Sequence, residues 1–224
     1  MYKNFRITVV IPCLNEEQGI QKVLHDLPPF VDEVIVVDNG STDRTAAIAR
    51  EMGAYDITEL HRGYGRAYQS GFSRATGDII VTLDGDHSYP VDALSYLLEA
   101  FMHCRVGFLS ASRLPVLTDN AMSTKHKIGN WILSFVMSLL FFRWVHDSQS
   151  GMWVFRRDAL DKMNLTSDGM AFSEEIKIEA IKNRDIGFRE IFISYSQRVG
   201  EKKLRPWRDG VQNLVFLFRN RIGI

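Results

Sequence analysis

At 224 residues the chain is long enough for one large domain with a full sheet covered on both faces, and its 46% hydrophobic and 24% charged residues mark it as globular rather than disordered. Its 27 Lys and Arg balance its 27 Asp and Glu, so a net charge of zero excludes a whole-protein attraction to nucleic acid and makes any anion site local. Cys13 and Cys104 are too few for a disulfide framework and no secretory signal precedes the first strand, which points to a reducing, cytosolic setting.

Ile7 to Ile11 reads as a buried strand stopped by Pro12, and Glu16 to Leu27 carries helical spacing at Ile20, Val23, Leu24 and Leu27. Val34 to Val37 predicts a second strand, followed by the turn Asp38-Asn39-Gly40-Ser41, with Ser41 or Thr42 capping a helix through Thr45, Ala46, Ala49 and Met52. Tyr55 to Leu60 is a third short strand, Gly65 to Ala75 a helix and Ile79 to Leu83 a fourth strand. Apolar strands alternating with helices imply right-handed βαβ units and a parallel sheet, so the first hundred residues form a nucleotide-binding type of half. After a helix over Asp92 to His103 the alternation loosens into strand-like Val106 to Ala111 and a polar loop from Arg113 to Lys127. The apolar run Trp131 to Phe142 follows; its 12 residues would reach about 18 Å as a helix, short of a hydrocarbon core about 30 Å thick. Such a segment is either a buried helix or one lying in a membrane interface. Strand-like Met152 to Phe155, helical Glu174 to Lys182 and strand-like Ile186 to Ser194 complete the body. No repeat or linker divides the chain, which reads as a single domain with halves 1–104 and 105–206 and an amphipathic segment 207–224.

Asp84-Gly85-Asp86 directly follows the fourth strand. Paired acids delivered to a sheet's carboxyl edge can hold a hard divalent cation whose open positions take phosphate oxygens, so a nucleotide diphosphate is the expected cargo. An ordinary Asp-Gly turn with two solvated acids gives the same string.

Three other strand ends carry polar signatures: Ile11-Pro12-Cys13-Leu14-Asn15-Glu16-Glu17, Val37-Asp38-Asn39-Gly40-Ser41-Thr42-Asp43 and Arg62-Gly63-Tyr64-Gly65-Arg66-Ala67. With Leu83-Asp84-Gly85-Asp86 this ordered set resembles the sugar-nucleotide-binding half of glycosyltransferase family 2. The second half narrows the likeness to polyprenyl-phosphate sugar synthases, typified by dolichyl-phosphate mannose synthase, through Asp147-Ser148-Gln149-Ser150-Gly151-Met152, Met170 to Ile176 and Arg198 to Leu204. Three positions depart from the pattern and bear on the base contact and the donor: Leu14 replaces an aromatic, Asn39 an acid and Lys202 a serine.

The resemblance implies a mixed α/β glycosyltransferase-A (Rossmann-like) fold with a mostly parallel central sheet flanked by helices. It implies that Pro12, Leu14, Asn15 and Glu16 line the nucleoside pocket, with Val36 and Asp38 against base or ribose. Gly40, Gly65 and Gly85 are candidate donor-binding residues; Gly63 and Gly65 permit close backbone approach, although a turn alone would explain them equally. Asp86 is the first candidate metal ligand for Mg²⁺ or Mn²⁺, with Asp84 sharing or orienting the ion and Ser88 a further oxygen. His87 has no partner His or Cys nearby and reads as a loop residue. Arg113, Arg198, Lys125, Lys127 and Lys203 are the cations available for phosphate, and the resemblance favours Arg113 and Arg198 for the acceptor with Lys203 near a donor or acceptor phosphate. Asp147 is expected to position the acceptor side, and Glu175 is either the later family acid or part of a charged helix face with Glu174 and Glu179.

The expected reaction is inverting, metal-assisted transfer of a hexose from a nucleotide-diphosphate sugar, GDP-mannose first and UDP-glucose second, to a polyprenyl phosphate. Residues Trp131 to Phe142 and the ending Trp207 to Phe218, flanked by Lys and Arg, would then hold the chain peripherally on the cytoplasmic face of the membrane, with a membrane-anchoring partner as a further possibility. A family 2 transferase acting on a saccharide hydroxyl would instead need Asp147 or Glu175 as base, and a non-catalytic module would keep only the donor crevice.

Overall fold

A computed structural model of the chain describes residues 1–114, 122–200 and 206–223, with the side chains of Pro206 and Trp207 excepted. Seven strands form one sheet in the order β3-β2-β1-β4-β6-β5-β7: β1 Ile7–Cys13, β2 Glu33–Asp38, β3 Tyr55–Thr58, β4 Ile79–Thr82, β5 Phe108–Ser112, β6 Trp153–Arg156 and β7 Phe188–Phe192. Only β6 runs against its neighbours, pairing antiparallel with both β4 and β5. The helices are α1 Glu17–Asp26, α2 Thr45–Glu51, α3 Tyr64–Phe72, α4 Leu94–Cys104, α5 Thr124–Phe141, α6 Phe172–Lys182 and α7 Pro206–Ile222.

The β-branched strands bury residues on both faces, as a covered sheet requires. Val9, Ile11, Val36 and Val81 pack with Ile20 of α1, Ala49 of α2 and Leu97 of α4, whereas Val10, Ile35, Val37 and Ile80 pack with Tyr68 of α3, Met137 of α5, Ile176 of α6 and Leu217 of α7. The connections through α1 and α2 therefore cover one face and that through α3 the other, so the chain changes direction between β1 and β4. Pro12 helps open this switch point, because it has no N–H to give. Pairing of β1 with β4 stops at Val10–Thr82, while pairing with β2 runs on to Cys13–Asp38. The two strands part at their carboxyl ends, where an open α/β sheet takes its ligand.

Two local expectations need correction. Ser41 and Thr42 do not cap α2: Asn15 N–H donates to Ser41 Oγ at 2.8 Å, Thr42 N–H donates to Asn15 Oδ1 at 2.7 Å, and Asp43 Oδ1 accepts the Thr45 N–H at 3.0 Å instead. The loop expected through Lys127 ends earlier, since α5 starts at Thr124 and takes the apolar run into an 18-residue helix.

Candidate active site

The four strand-end segments meet around the parting of β1 and β4. Asn15, in the left-handed region at φ 50°, ties the end of β1 to the turn after β2 through the two bonds above. Asp38 ends β2 buried, with Oδ1 accepting the Ser41 N–H at 3.1 Å, and Gly40 makes the turn at φ 84°. The departure at Asn39 has a structural reason. Its Nδ2 donates to the carbonyls of Glu59 and His61 at 3.0 and 2.8 Å, and its Oδ1 accepts the Gly63 N–H at 2.7 Å. An aspartate has no N–H for those carbonyls, so Asn39 fixes the connection from β3 to α3 against β2. Pro12 and Leu14 are half-buried at this rim, but Val36 is wholly buried in the core and backs the crevice rather than facing a ligand.

Gly65 and Gly85 are required by the protein's own packing. A Cβ at Gly65 would collide with the Ser167 carbonyl and Phe172, one at Gly63 with the Asp168 carbonyl, and one at Gly85 with Cys13 Sγ. The expected approach of a ligand to Gly65 is thus taken up by residues 167–172, which lie beside it.

Asp84 and Asp86 share the rim. Asp86 is buried, its Oδ1 accepting from Ser88 N–H and Oγ–H at 3.0 and 2.6 Å, and its Oδ2 lies 3.5 Å from Arg198 Nη1. Half-buried Asp84 receives the Tyr64 hydroxyl at 3.4 Å. A Cβ at Gly151 would reach 3.2 Å from its carboxylate, so the Asp147–Gly151 segment abuts the paired acids. Burial, then the charge of Asp86, push the Asp84 carboxyl up to about 7 despite Arg113 and Arg198 nearby. The rim is short of positive charge. Its oxygen donors suit Mg²⁺ or Mn²⁺ held by a few protein ligands with phosphate and water completing the shell; among the described residues no cluster of three or more His, Cys, Asp and Glu forms a self-sufficient cage. His87 turns away, its Nε2 2.8 Å from Asp26 Oδ2.

Arg198 bridges the rim. Nη2 donates to Glu16 Oε1 at 2.8 Å, and Nε, buried, has no hydrogen-bond partner among the described residues. Backbone bonds from Ser196 N–H to the Ser88 carbonyl at 3.0 Å and from Val199 N–H to the Asp86 carbonyl at 2.8 Å zip its segment onto the acidic loop. Lys203 lies outside the described residues, as do Lys202 and Leu204.

Past β5, Arg113 and Asp147 form a buried bidentate pair, with Arg113 Nε and Nη2 donating to Oδ2 and Oδ1 at 2.8 and 2.9 Å. Arg113 N–H, Asn130 Nδ2 and Gln149 N–H add bonds at 2.9, 2.8 and 3.2 Å, so five N–H groups engage a carboxylate with about four lone-pair sites. Burial alone would raise the Asp147 pKa, but the Arg113 guanidinium outweighs it and holds the group well below the carboxylate range. Wholly buried, Asp147 has no lone pair left for a sugar or a proton; what it does is hold Arg113 in place, under the rings of Tyr89 and Tyr195 at 6.0 and 5.2 Å.

Glu175 is neither a solvated face nor open to a ligand. Its Oε1 accepts from Thr166 N–H and Oγ–H at 3.1 and 2.8 Å and its Oε2 from Ser167 N–H at 2.9 Å, which anchors the segment lying over Gly63 and Gly65. Glu175→Ala is expected to cost about 3 kcal/mol in denaturant unfolding, because a buried carboxylate is lost with its three hydrogen bonds from part-buried donors, worth about 1 kcal/mol each. Were Glu175 a catalytic base with no structural duty, the variant would keep wild-type stability.

The sequence singles out no role for Lys177 and sets Glu174 on a charged face, but both are wholly buried on α6. Lys177 Nζ donates to the carbonyls of Ser148 and Ser150, each at 2.8 Å, beneath the segment that carries Asp147, and burial lowers its pKa to about 8. The signal was present: around the helix Lys177 falls between Ala180 and Ile181 and Glu174 between Ile181 and Ile178, within the apolar side of α6.

Next to the Arg113–Asp147 pair runs a groove of about 550 Å³ walled by Leu114, Ile128, Trp131, Phe135, Trp144 and Val145, with Lys127 and His146 also lining it. Along the same side α5 and its cap expose Trp131 (62%), Ile132, Phe135, Leu139 (63%) and Phe142 (83%), and α7, packed against α5, exposes Val211, Val215, Phe218 and Ile222. Lys125 is exposed on the first turn of α5. Among the described residues no helix is long and apolar enough to cross a membrane.

Residues 8–163 match the family model described as glycosyl transferase family 2. The chain is 34% identical to the low-salt glycan biosynthesis hexosyltransferase Agl6 of Haloferax volcanii, over 97% of this chain but only 54% of that protein, so it spans about half of Agl6. It is 33% identical to a dolichyl-phosphate hexose transferase of the same organism, covering 91% of this chain and 89% of the relative. Among solved structures, glucosyl-3-phosphoglycerate synthase from Mycobacterium tuberculosis, crystallised with Mn²⁺, UDP and phosphoglyceric acid, superposes with a TM-score of 0.75 at 21% identity, over 99% of this chain and 80% of that one. The shared fold is glycosyltransferase-A.

Proposed function

Because the chain belongs to glycosyltransferase family 2, we propose that it transfers a hexose, with inversion, from a nucleotide-diphosphate sugar to a polyprenyl phosphate at the cytoplasmic surface of a membrane. The observation that carries this reading is one juxtaposition: the buried Arg113–Asp147 pair stands between the acidic rim and an apolar groove. A lipid phosphate needs all three, namely a donor site, a fixed cation for its head and a wall for its chain. The dolichyl-phosphate hexose transferase from Haloferax volcanii supports the acceptor class.

The nucleoside would lie over Pro12, Leu14 and Asp38, with Asn15 and Asn39 holding the surrounding turns. Asp86, with Asp84 and Ser88, would hold Mg²⁺ or Mn²⁺, which when bound offsets the charge growing on the departing diphosphate. Arg198 sits where it can exchange Asp86 for a phosphate, and Arg113 directs the acceptor. A phosphate monoester with a second pKa of about 6 is already a dianion near neutrality, so no protein base is required. Its oxygen forms the new bond to the anomeric carbon as the bond to the diphosphate breaks on the opposite side. The hydroxyl-acceptor alternative needs Asp147 or Glu175 as base, and both carboxylates are occupied by N–H and O–H donors.

The apolar sides of α5 and α7 supply the membrane contact. Phe142 ends α5 in the left-handed region at φ 53°, costly for a bulky residue, yet it is held outward under Arg221 at 5.5 Å. No acid occurs from residue 120 to 146, while Lys125, Lys127 and Arg143 do, a pattern suited to anionic headgroups. The test combines the protein, vesicle-borne polyprenyl phosphate, Mg²⁺ or Mn²⁺ and a panel of labelled sugar nucleotides. Lipid-linked sugar is expected from GDP-mannose or UDP-glucose, and the double variant Trp131→Glu, Phe135→Glu should lose flotation with anionic vesicles and at least about tenfold in transfer while still binding donor. No product across the panel removes the reaction, and unchanged flotation removes the membrane contact.

A further inference from the structure

On α7 the described side chains Asn213 and Leu217 are the buried ones, one turn apart. Leu217 joins the core, as an amphipathic helix requires. A buried amide is costly there unless it is hydrogen-bonded, and an apolar residue of similar size would pack the same seam. Asn213 Nδ2 donates to Gln149 Oε1 at 2.8 Å, and Gln149 Nε2 in turn donates to Glu174 Oε1 at 2.8 Å. The backbone N–H of Gln149 reaches Asp147 Oδ1 at 3.2 Å. Gln149 thus has its amide head on α6 and α7 and its main chain on the acid that holds Arg113. The helix that exposes Val211, Val215 and Phe218 on its outer side is connected by its inner side to the acceptor cation in three hydrogen bonds.

We infer that Asn213 and Gln149 are positioning residues that couple the seating of α7 to the Arg113–Asp147 pair, so that the membrane-facing helix sets the acceptor-phosphate site. The consequence for acceptor use rests on the polyprenyl-phosphate reading; the coupling itself does not. The chain of bonds is suited to this because every link is short, those through Gln149 part-buried and the Arg113–Asp147 pair buried, and because Lys177 fixes the same segment from below through the Ser148 and Ser150 carbonyls. Ser134 and Asn130 of α5 and the Tyr89 hydroxyl also hold the segment, and the Asn213 amide is its link to α7. A second polar tether of α7, Lys182 Nζ to Asn220 Oδ1 at 2.6 Å, is exposed and lies apart from the segment, so it serves as a control.

The test uses Asn213→Leu and Asn220→Ala in the full chain. Hydrogen exchange is followed at the Ser148, Gln149 and Gly151 amides, whose acceptors are Ser134 Oγ, Asp147 Oδ1 and Tyr89 Oη. Asn213→Leu is expected to speed exchange at these amides by about tenfold, to raise the acceptor KM by about tenfold and to leave donor affinity and exchange in β1 to β4 unchanged; Asn220→Ala should do none of this. Wild-type exchange at the three amides in Asn213→Leu overturns the coupling, and so does a loosening that extends to β1 to β4 or appears equally in Asn220→Ala. If the amides respond as expected but the wild-type chain makes no lipid-linked sugar, the coupling stands and the acceptor reading falls.

Discussion

Asp86→Ala is expected to abolish metal-dependent donor binding and to lower transfer about a thousandfold while leaving the fold in place. A Lewis-acid contribution of several kcal/mol, at about 1.4 kcal/mol per factor of ten, gives that magnitude. The fold survives because the loop is held mainly by its backbone: the carbonyls of Asp86 and Ser88 keep their bonds from Val199 and Ser196, and Arg198 keeps Glu16 at 2.8 Å. What is lost locally is the pair of bonds from Ser88, worth about 1 kcal/mol each, and the 3.5 Å ion pair with Arg198. Titration calorimetry with a nucleoside diphosphate, with and without Mn²⁺, separates the two effects. Wild-type protein should gain affinity from the ion and the variant should not; an undiminished gain in Asp86→Ala would move the ion elsewhere. Asp84→Asn should lose less, because Asp86 and Ser88 remain.

The first half of the fold was legible because each βαβ unit is a local statement. Strand-like runs starting at Ile7, Val34, Tyr55 and Ile79 are long enough for strands, and the spacing between successive runs leaves room for one helix. The antiparallel β6 was not legible, since Trp153–Arg156 is as apolar as a parallel strand and its direction is set by partners about 45 and 75 residues away. The site divides in the same way. Asp84, Asp86, Asp38 and Asn15 announce themselves by standing at strand ends. Gly65, Asp147 and Glu175 carry family signatures too, yet their partners are Ser167, Arg113 and Thr166, and the sequence says nothing of those contacts. Acids spaced along a helix look like a solvated face until the surrounding apolar residues are counted, so the sequence leaves Glu175 between a family acid and a charged face, sets Glu174 on that face and gives Lys177 no role.

Arg113→Met should be the most destabilising single change at the acceptor side, costing about 3–5 kcal/mol, because it strands the wholly buried Asp147 charge. Asp147→Leu strands the guanidinium in the same way. The double variant Arg113→Met, Asp147→Leu removes both charges and is expected to regain most of the stability, since a buried ion pair replaced by apolar groups of similar volume is often neutral. Transfer should stay lost in all three, for the phosphate then has no fixed cation; recovery of turnover in the double variant would exclude Arg113 from acceptor binding. Acid unfolding adds a second reading with a definite sign. A carboxylate held well below its ordinary value contributes stability that is fully present above the usual carboxylate range and is lost as pH falls through the folded-state pKa. The wild type should therefore lose stability on acidification more steeply than the double variant, and equal slopes would mean that Asp147 is not held ionised by Arg113.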